Sequence, residues 1–209
     1  MPMTPKEARE LQLRLRDRVI RRGSVRPTLV AGVDASEKDG RARGAVVVLR
    51  GAEVIEEATS DLPLSFPYIP GLLSFRELPA LLAAWRRLKS RPDAVIVDGA
   101  GWAHPRRFGL ACHFGVRVGV PTVGCAKSWF IGDYDEPATA RGSWSPLRDD
   151  GETIGAVLRT QDGRNPVYVS IGHKVSLATA VRIVLDHATR TRLPEPQRLA
   201  DRLSKKRSA

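Results

Sequence analysis

Two segments of the chain are nearly continuous apolar runs that stop on an aspartate. "VAGVD" ends at Asp34 and "VIVD" ends at Asp98. Runs this short and this rich in valine read as buried strands, too short for core helices. An aspartate that closes such a strand sits at the rim of the sheet. In open α/β sheets the ligand crevice lies outside the carboxyl ends of the strands. The two strands therefore commit the chain to a sheet covered on both faces, with two carboxylates on its edge. Either aspartate alone could simply cap a following turn. As neighbours they would repel unless a cation lay between them. An all-oxygen site of that kind suits Mg²⁺ or Mn²⁺.

The flanking patterns fill in the sheet. "TPKEARELQLRLRDRVIRRG" opens with a capping box of Thr4, Pro5 and Glu7, and Gly23 closes the segment. "TLVAGVDAS" (28–36), "ARGAVVVLR" (42–50) and "AEVIEEATSDL" (52–62) are joined by short connectors and predict an antiparallel three-strand meander. A helix is expected over 78–89, where Leu78, Leu81, Leu82, Trp85 and Leu88 share one face. Strands follow at 93–101 and 121–128, with a helix-compatible segment between them. "WFIGDYDEPATARGSWSPLRDDG" reads as loop, "TIGAVLRT" with "PVYVSIG" as a hairpin, and "SLATAVRIVLDHATR" as a last helix. The basic tail from about 190 to 209 is expected to fray. No linker or repeat divides the 209 residues, so one domain is expected over 1–209. Meander first, then alternating helix and strand, gives an α/β fold with a mixed central sheet flanked by helices.

Charge narrows the partners. Thirty-four basic residues against 23 acidic ones leave +11 and a pI near 10.4. That surplus points to a polyanion, either nucleic acid or an anionic membrane. The longest apolar runs, such as "AVVVL" at 45–49, fall far short of the ~20 residues that span a bilayer. No signal-peptide pattern opens the sequence. Cys112 and Cys125 lack zinc-site spacing and fit a reducing, cytoplasmic setting.

Other polar groups gather around the two aspartates. Glu77 could be a third acid, or an ordinary helix-start acid that complements the dipole. Gly99, Gly101 and Gly109 let backbone approach a ligand, beside His104 and His113. Lys127 follows a short apolar strand and shares its rim with Asp34 and Asp98. His173 follows another strand, before the last helix, where it could ligate metal, touch a phosphate or cap. "FPYIPGLLSFRE" (66–77) is a rigid apolar loop with two prolines, a glycine and the aromatics Tyr68 and Phe75.

Taken together, "VAGVD", "PYIPGLLSFRE", "VDGAGWAHPRRFGLACHFGV", "PTVGCAKS" and "PVYVSIGHKVS" resemble the endonuclease V family of deoxyinosine-specific repair nucleases, which have an RNase H-like fold. The likeness spans roughly residues 28–185. It implies that Asp34, Glu77 and Asp98 are the acidic metal-binding positions. It also implies that His173 lies near that centre and Lys127 near the scissile phosphate. Pro67, Tyr68, Ile69 and Pro70 match the family's strand-parting wedge. Leu73, Gly99, Gly101, His104, Gly109 and Leu110 match the pocket for the flipped base. Ala100 and Trp102 depart from the residues usual there, which bears on lesion breadth. The implied reaction is Mg²⁺-dependent hydrolysis of the second phosphodiester 3′ to deoxyinosine, leaving a 3′-hydroxyl and a 5′-phosphate, by a cytoplasmic monomer. Inosine-containing RNA is an alternative substrate. A non-catalytic lesion binder and a metal-free glycosylase are the competing classes.

Overall fold

The computed structural model describes residues 3–206. Met1, Pro2 and residues 207–209, at the two ends of the expected domain and tail, lie outside the described residues. One sheet of eight strands forms the centre. In chain order they are β1 (Leu29–Lys38), β2 (Arg41–Arg50), β3 (Glu53–Pro63), β4 (Ala94–Asp98), β5 (Thr122–Ala126), β6 (Trp144–Asp149), β7 (Glu152–Leu158) and β8 (Val167–His173). Their spatial order is β3-β2-β1-β4-β5-β8-β7-β6. β1 and β4 pair in parallel, as do β4 and β5, and the other pairs are antiparallel.

Among the described residues five helices cover the sheet: α1 (Pro5–Arg16), α2 (Leu73–Trp85), α3 (Leu110–Val118), α4 (Leu177–His187) and α5 (Glu195–Lys205). Strand periodicity divides the core between the two faces. Ala31, Val33, Val95 and Val97 point toward α2 and α3, among Leu78, Leu81 and Phe114. Val30, Ile96, Val123 and Cys125 point the other way, toward Ala180 and Val184 of α4. No helix among the described residues is long and apolar enough to cross a membrane.

The meander, the β7–β8 pair and the Thr4–Glu7 capping box stand as expected. Three expectations change. The loop-like stretch after Phe130 contains β6, which forms a hairpin with β7 through Asp150 and Gly151. Helix α2 begins at Leu73, so Leu73 and Glu77 are helical and Pro79 lies inside the helix. The tail does not fray before Lys206. Pro194 and Pro196 lead into α5, whose Gln197, Ala200 and Ser204 are buried against the sheet. Gly32 makes this docking possible, because a Cβ there would lie 2.0 Å from the Pro196 carbonyl oxygen. The buried Gln197 side chain donates to the Cys125 carbonyl at 2.9 Å, which ties α5 across β1 and β4 to β5.

Candidate active site

Strand register brings the two aspartates together. β1 and β4 pair Val33 with Val97, so Asp34 and Asp98 follow side by side at the carboxyl rim. Both continue the side of the sheet that α5 covers. The third acid comes from α5 itself: oxygens of Asp34, Asp98 and Asp201 all lie within 4.8 Å of one another. Ser204, one turn further along α5, donates to Asp34 Oδ2 at 2.8 Å. Glu77 stands outside this trio but close enough to feel its charge.

The cluster behaves as a cation site. The Lys127 ammonium sits between two of its acids, 2.5 Å from Asp98 Oδ2 and 2.8 Å from Asp201 Oδ1. Burial works against that charge, but Asp201 and Asp98 outweigh it and raise the lysine above its usual range. Asp201 is also held by Lys205 Nζ, at 2.8 and 2.7 Å. Burial alone would raise the Asp201 carboxyl, yet its two lysine partners lower it. For Asp34 the Ser204 hydroxyl and the Lys127 charge, and for Glu77 the Arg76 charge, pull the other way but do not prevail. Burial, then the Asp98 charge, pushes Asp34 up to about 7. Burial, then Asp34, pushes Glu77 up to about 8. Carboxyls that hold protons this tightly sit in a site short of positive charge. Three carboxylates and an ammonium already seated among them make a donor set that a hard divalent cation fits.

These two shifts predict an unusual stability profile for the metal-free protein. Each carboxyl binds its proton more tightly folded than unfolded. Their contribution is therefore fully present below the ordinary carboxyl range near pH 4 and is lost as pH rises toward 7 and 8. In EDTA, melting temperature should fall between pH 5 and pH 8, and Asp34→Asn should flatten the fall. A divalent cation should raise melting temperature more at pH 8 than at pH 5. An equal metal effect at both pH values would contradict the assignment.

Beside the acids lies a cavity of about 280 Å³. Leu73, Gly99, His104, Gly109 and Leu110 line it, as five of the six expected pocket residues. Gly101 does not. A Cβ there would meet the Ile171 carbonyl oxygen at 2.2 Å, so this glycine lets the loop after β4 pass over β8. Gly99, at φ +139°, supplies the turn from Asp98 into the cavity wall. Across the mouth, the 66–72 loop divides in two. Phe66 and Leu72 are buried with Phe75 and Ala8, while Tyr68 projects with 68% of its surface exposed.

A buried glutamine that sequence reading passed over braces this loop. Gln12 of α1 donates to the carbonyls of Gly71, at 3.0 Å, and Phe108, at 3.1 Å. It accepts from Arg106 Nε at 2.6 Å. His104 Nε2 and Arg106 Nη2 reach the same Gly71 oxygen, at 3.0 and 2.8 Å. His104 Nδ1 accepts the Arg106 backbone N–H, so the Nε2 hydrogen faces Gly71. Burial, then Arg106, lowers His104 to about 4, which leaves it neutral near pH 7. The projecting loop and the cavity wall thus share one knot of hydrogen bonds.

Two histidines lie elsewhere. β8 runs antiparallel to β5, so His173 pairs with Thr122 at the amino end of β5, whereas Lys127 follows its carboxyl end. His173 is at the opposite rim from the acids, where Nδ1 accepts the Ile20 N–H at 3.2 Å. The cap of α4 is Ser176. His113 is buried under α2, bonded through Nδ1 to Ser74. Burial, then Arg117, lowers it to about 4.

Acids on the carboxyl rim of a mixed sheet, opening onto a pocket beside a projecting aromatic in a basic chain, define a nuclease of the RNase H-like class. The family model of endonuclease V matches residues 12–202. The chain belongs to the endonuclease V family. The endonuclease V of Roseiflexus sp. is 48% identical over 97% of this chain and 93% of its own length. The crystal structure of endonuclease V from Streptomyces avermitilis superposes with a TM-score of 0.94 at 45% identity, covering 98% of this chain and 92% of that one. Ciona intestinalis endonuclease V, crystallised with a 24mer DNA containing an inosine followed by a ribo-adenosine, gives 0.83 at 28% identity, covering 96% and 95%.

Proposed function

We propose that this protein is a Mg²⁺-dependent endonuclease that recognises deoxyinosine in DNA and cuts the second phosphodiester bond 3′ to it, leaving a 3′-hydroxyl and a 5′-phosphate. The observation that carries this reading is the pairing of an acidic cluster with a separate, base-sized cavity on one rim. A flipped base can be read in the cavity while the backbone is cut at the acids. Flipping costs least for a mispaired base, which favours the lesion.

Asp34, Asp98 and Asp201 would hold the metal, with Glu77 beside them; Mn²⁺ can substitute. When bound, the ion supplies charge for the phosphoryl oxygens and makes water a better nucleophile. Lys127, whose ammonium lies beside Asp98 and Asp201, would offer its charge to the scissile phosphate. Leu73, Gly99, Gly109 and Leu110 wall the base, and Pro67, Tyr68, Ile69 and Pro70 form the wedge that fills its vacated place. His173, on the far rim, takes no part in the cutting and fixes the segment after α1. Both cysteines are free and buried, which suits the cytoplasm.

A second reading, inosine in RNA, draws support from the ribonucleotide that the Ciona protein's ligand carries after its inosine. Matched oligonucleotides with deoxyinosine, riboinosine or no lesion, assayed with Mg²⁺ and with EDTA, separate these readings. The expected product is a single nick displaced 3′ from deoxyinosine, made without alkali and abolished by EDTA. A nick that survives EDTA, or needs alkali, would refute the proposal.

A further inference from the structure

Four aromatic side chains among the described residues are strongly exposed: Tyr68, Trp129, Phe130 and Trp144. Three of them, Tyr68, Trp129 and Phe130, line the cavity beside the acids. Tyr68 belongs to the wedge. The other pair lies across the cavity and has no role in the reading above. Trp129 exposes 54% of its surface yet is not loose, because its Nε1 donates to the Gly132 carbonyl at 2.7 Å. Phe130 leans on His104, ring centroids 5.8 Å apart. A large flat ring held rigidly and left in water is a poor structural element and a good platform for another ring.

Its place along the chain indicates which ring. Lys127 reaches the acidic cluster, while Ala126, Ser128 and Trp129 line the cavity. The segment from Lys127 to Trp129 therefore runs from the cutting position to the base pocket. The proposed cut leaves one nucleotide between the inosine and the broken bond, and that nucleotide must span this same path. We infer that Trp129 is a stacking platform for the base immediately 3′ to the inosine, a subsite that accepts any nucleobase. The inference rests on the proposed cutting position. Stacking tolerates every base because each has a π-face. The subsite would hold the strand taut between pocket and acids without adding a sequence requirement.

The test uses the full-length protein in EDTA, so that nothing is cut, and a single-stranded deoxyinosine oligonucleotide labelled for anisotropy. A companion strand has an abasic residue immediately 3′ to the inosine, and a third strand lacks the lesion. Trp129→Ala should weaken binding of the intact strand roughly 5- to 150-fold. The abasic strand should bind the wild-type protein about as weakly, and Trp129→Ala should weaken it little further. Trp129→Phe should restore most of the affinity on the intact strand. Equal losses for Trp129→Ala on the intact and abasic strands would overturn the inference, as would no loss on either. Both results leave the inosine reading intact. A wild-type protein with no preference for inosine over the lesion-free strand would instead sink that reading, and this inference with it.

Discussion

Asp98→Asn should reduce nicking of a deoxyinosine duplex by about 10³-fold or more while leaving lesion binding in EDTA close to wild type. The substitution keeps the side chain's size and removes one charge from a cluster of three acids. Divalent-metal chemistry at phosphate depends on several kcal/mol of charge stabilisation, so losing one ligand charge falls almost wholly on the cutting step. The cavity is walled by other residues, and its shape does not depend on Asp98. The same change frees Lys127 from its 2.5 Å partner and removes a like charge beside Asp34. The variant should therefore melt no lower than wild type in EDTA, although it responds less to Mg²⁺. Nicking at near wild-type rate in Mg²⁺ would show that the acids are not the cutting centre.

Tyr68→Ala should act unequally on duplex and single-stranded deoxyinosine. On duplex deoxyinosine most activity should be lost, because no ring remains to replace the stacking partner of the departing base. Such a contact is worth about 1–3 kcal/mol per base. On single-stranded deoxyinosine the loss should be smaller, since no duplex stack has to be parted. Melting temperature should hardly move, because Tyr68 is 68% exposed. Phe66→Ala is the matching control. That ring is buried against Phe75, 5.6 Å between centroids, and its removal should cost about 3–5 kcal/mol and depress both substrates together. If Tyr68→Ala behaved like Phe66→Ala, the loop would be a packing element and not a wedge.

The loop and the two aspartates were readable because local chemistry sets them. Proline and glycine fix a turn wherever they stand, and Asp98 does end β4, whereas Asp34 lies inside β1, which runs on to Lys38 beyond its parallel pairing with β4. What escaped depends on long-range direction or on a small-residue helix face. His173 was expected near the acids because the likeness to the family implied it; as the residue after a strand it could equally have capped a helix. The antiparallel run of β8, which places it at the opposite rim, leaves no trace in a single sequence. Asp201 was hidden in a stretch that reads as a charged tail, since the fully buried residues of α5 are Pro196, Gln197, Ala200 and Ser204, and its leucines Leu199 and Leu203 pack only partly buried against Val47 and Leu49. Its one local signal was the pair Pro194 and Pro196 ahead of a four-residue spacing. β6 was missed because Pro146 argues against a strand, and it survives there as the outermost member of the sheet. The start of α2 was set late because its apolar face was counted from Leu78, whereas the helix begins at Leu73.

Helix α5 also sets an order of events during synthesis. The Ser204–Asp34 bond joins residues 170 positions apart, so the acidic cluster draws on both the first strand and the last helix. A nascent chain can build the meander, the cavity and the projecting loop while its final helix is still being made. Until then it has two of the three clustered acids, and the sheet surface beneath Pro196 lies bare. Chains cut short by a premature stop or a stalled ribosome thus share that incomplete centre.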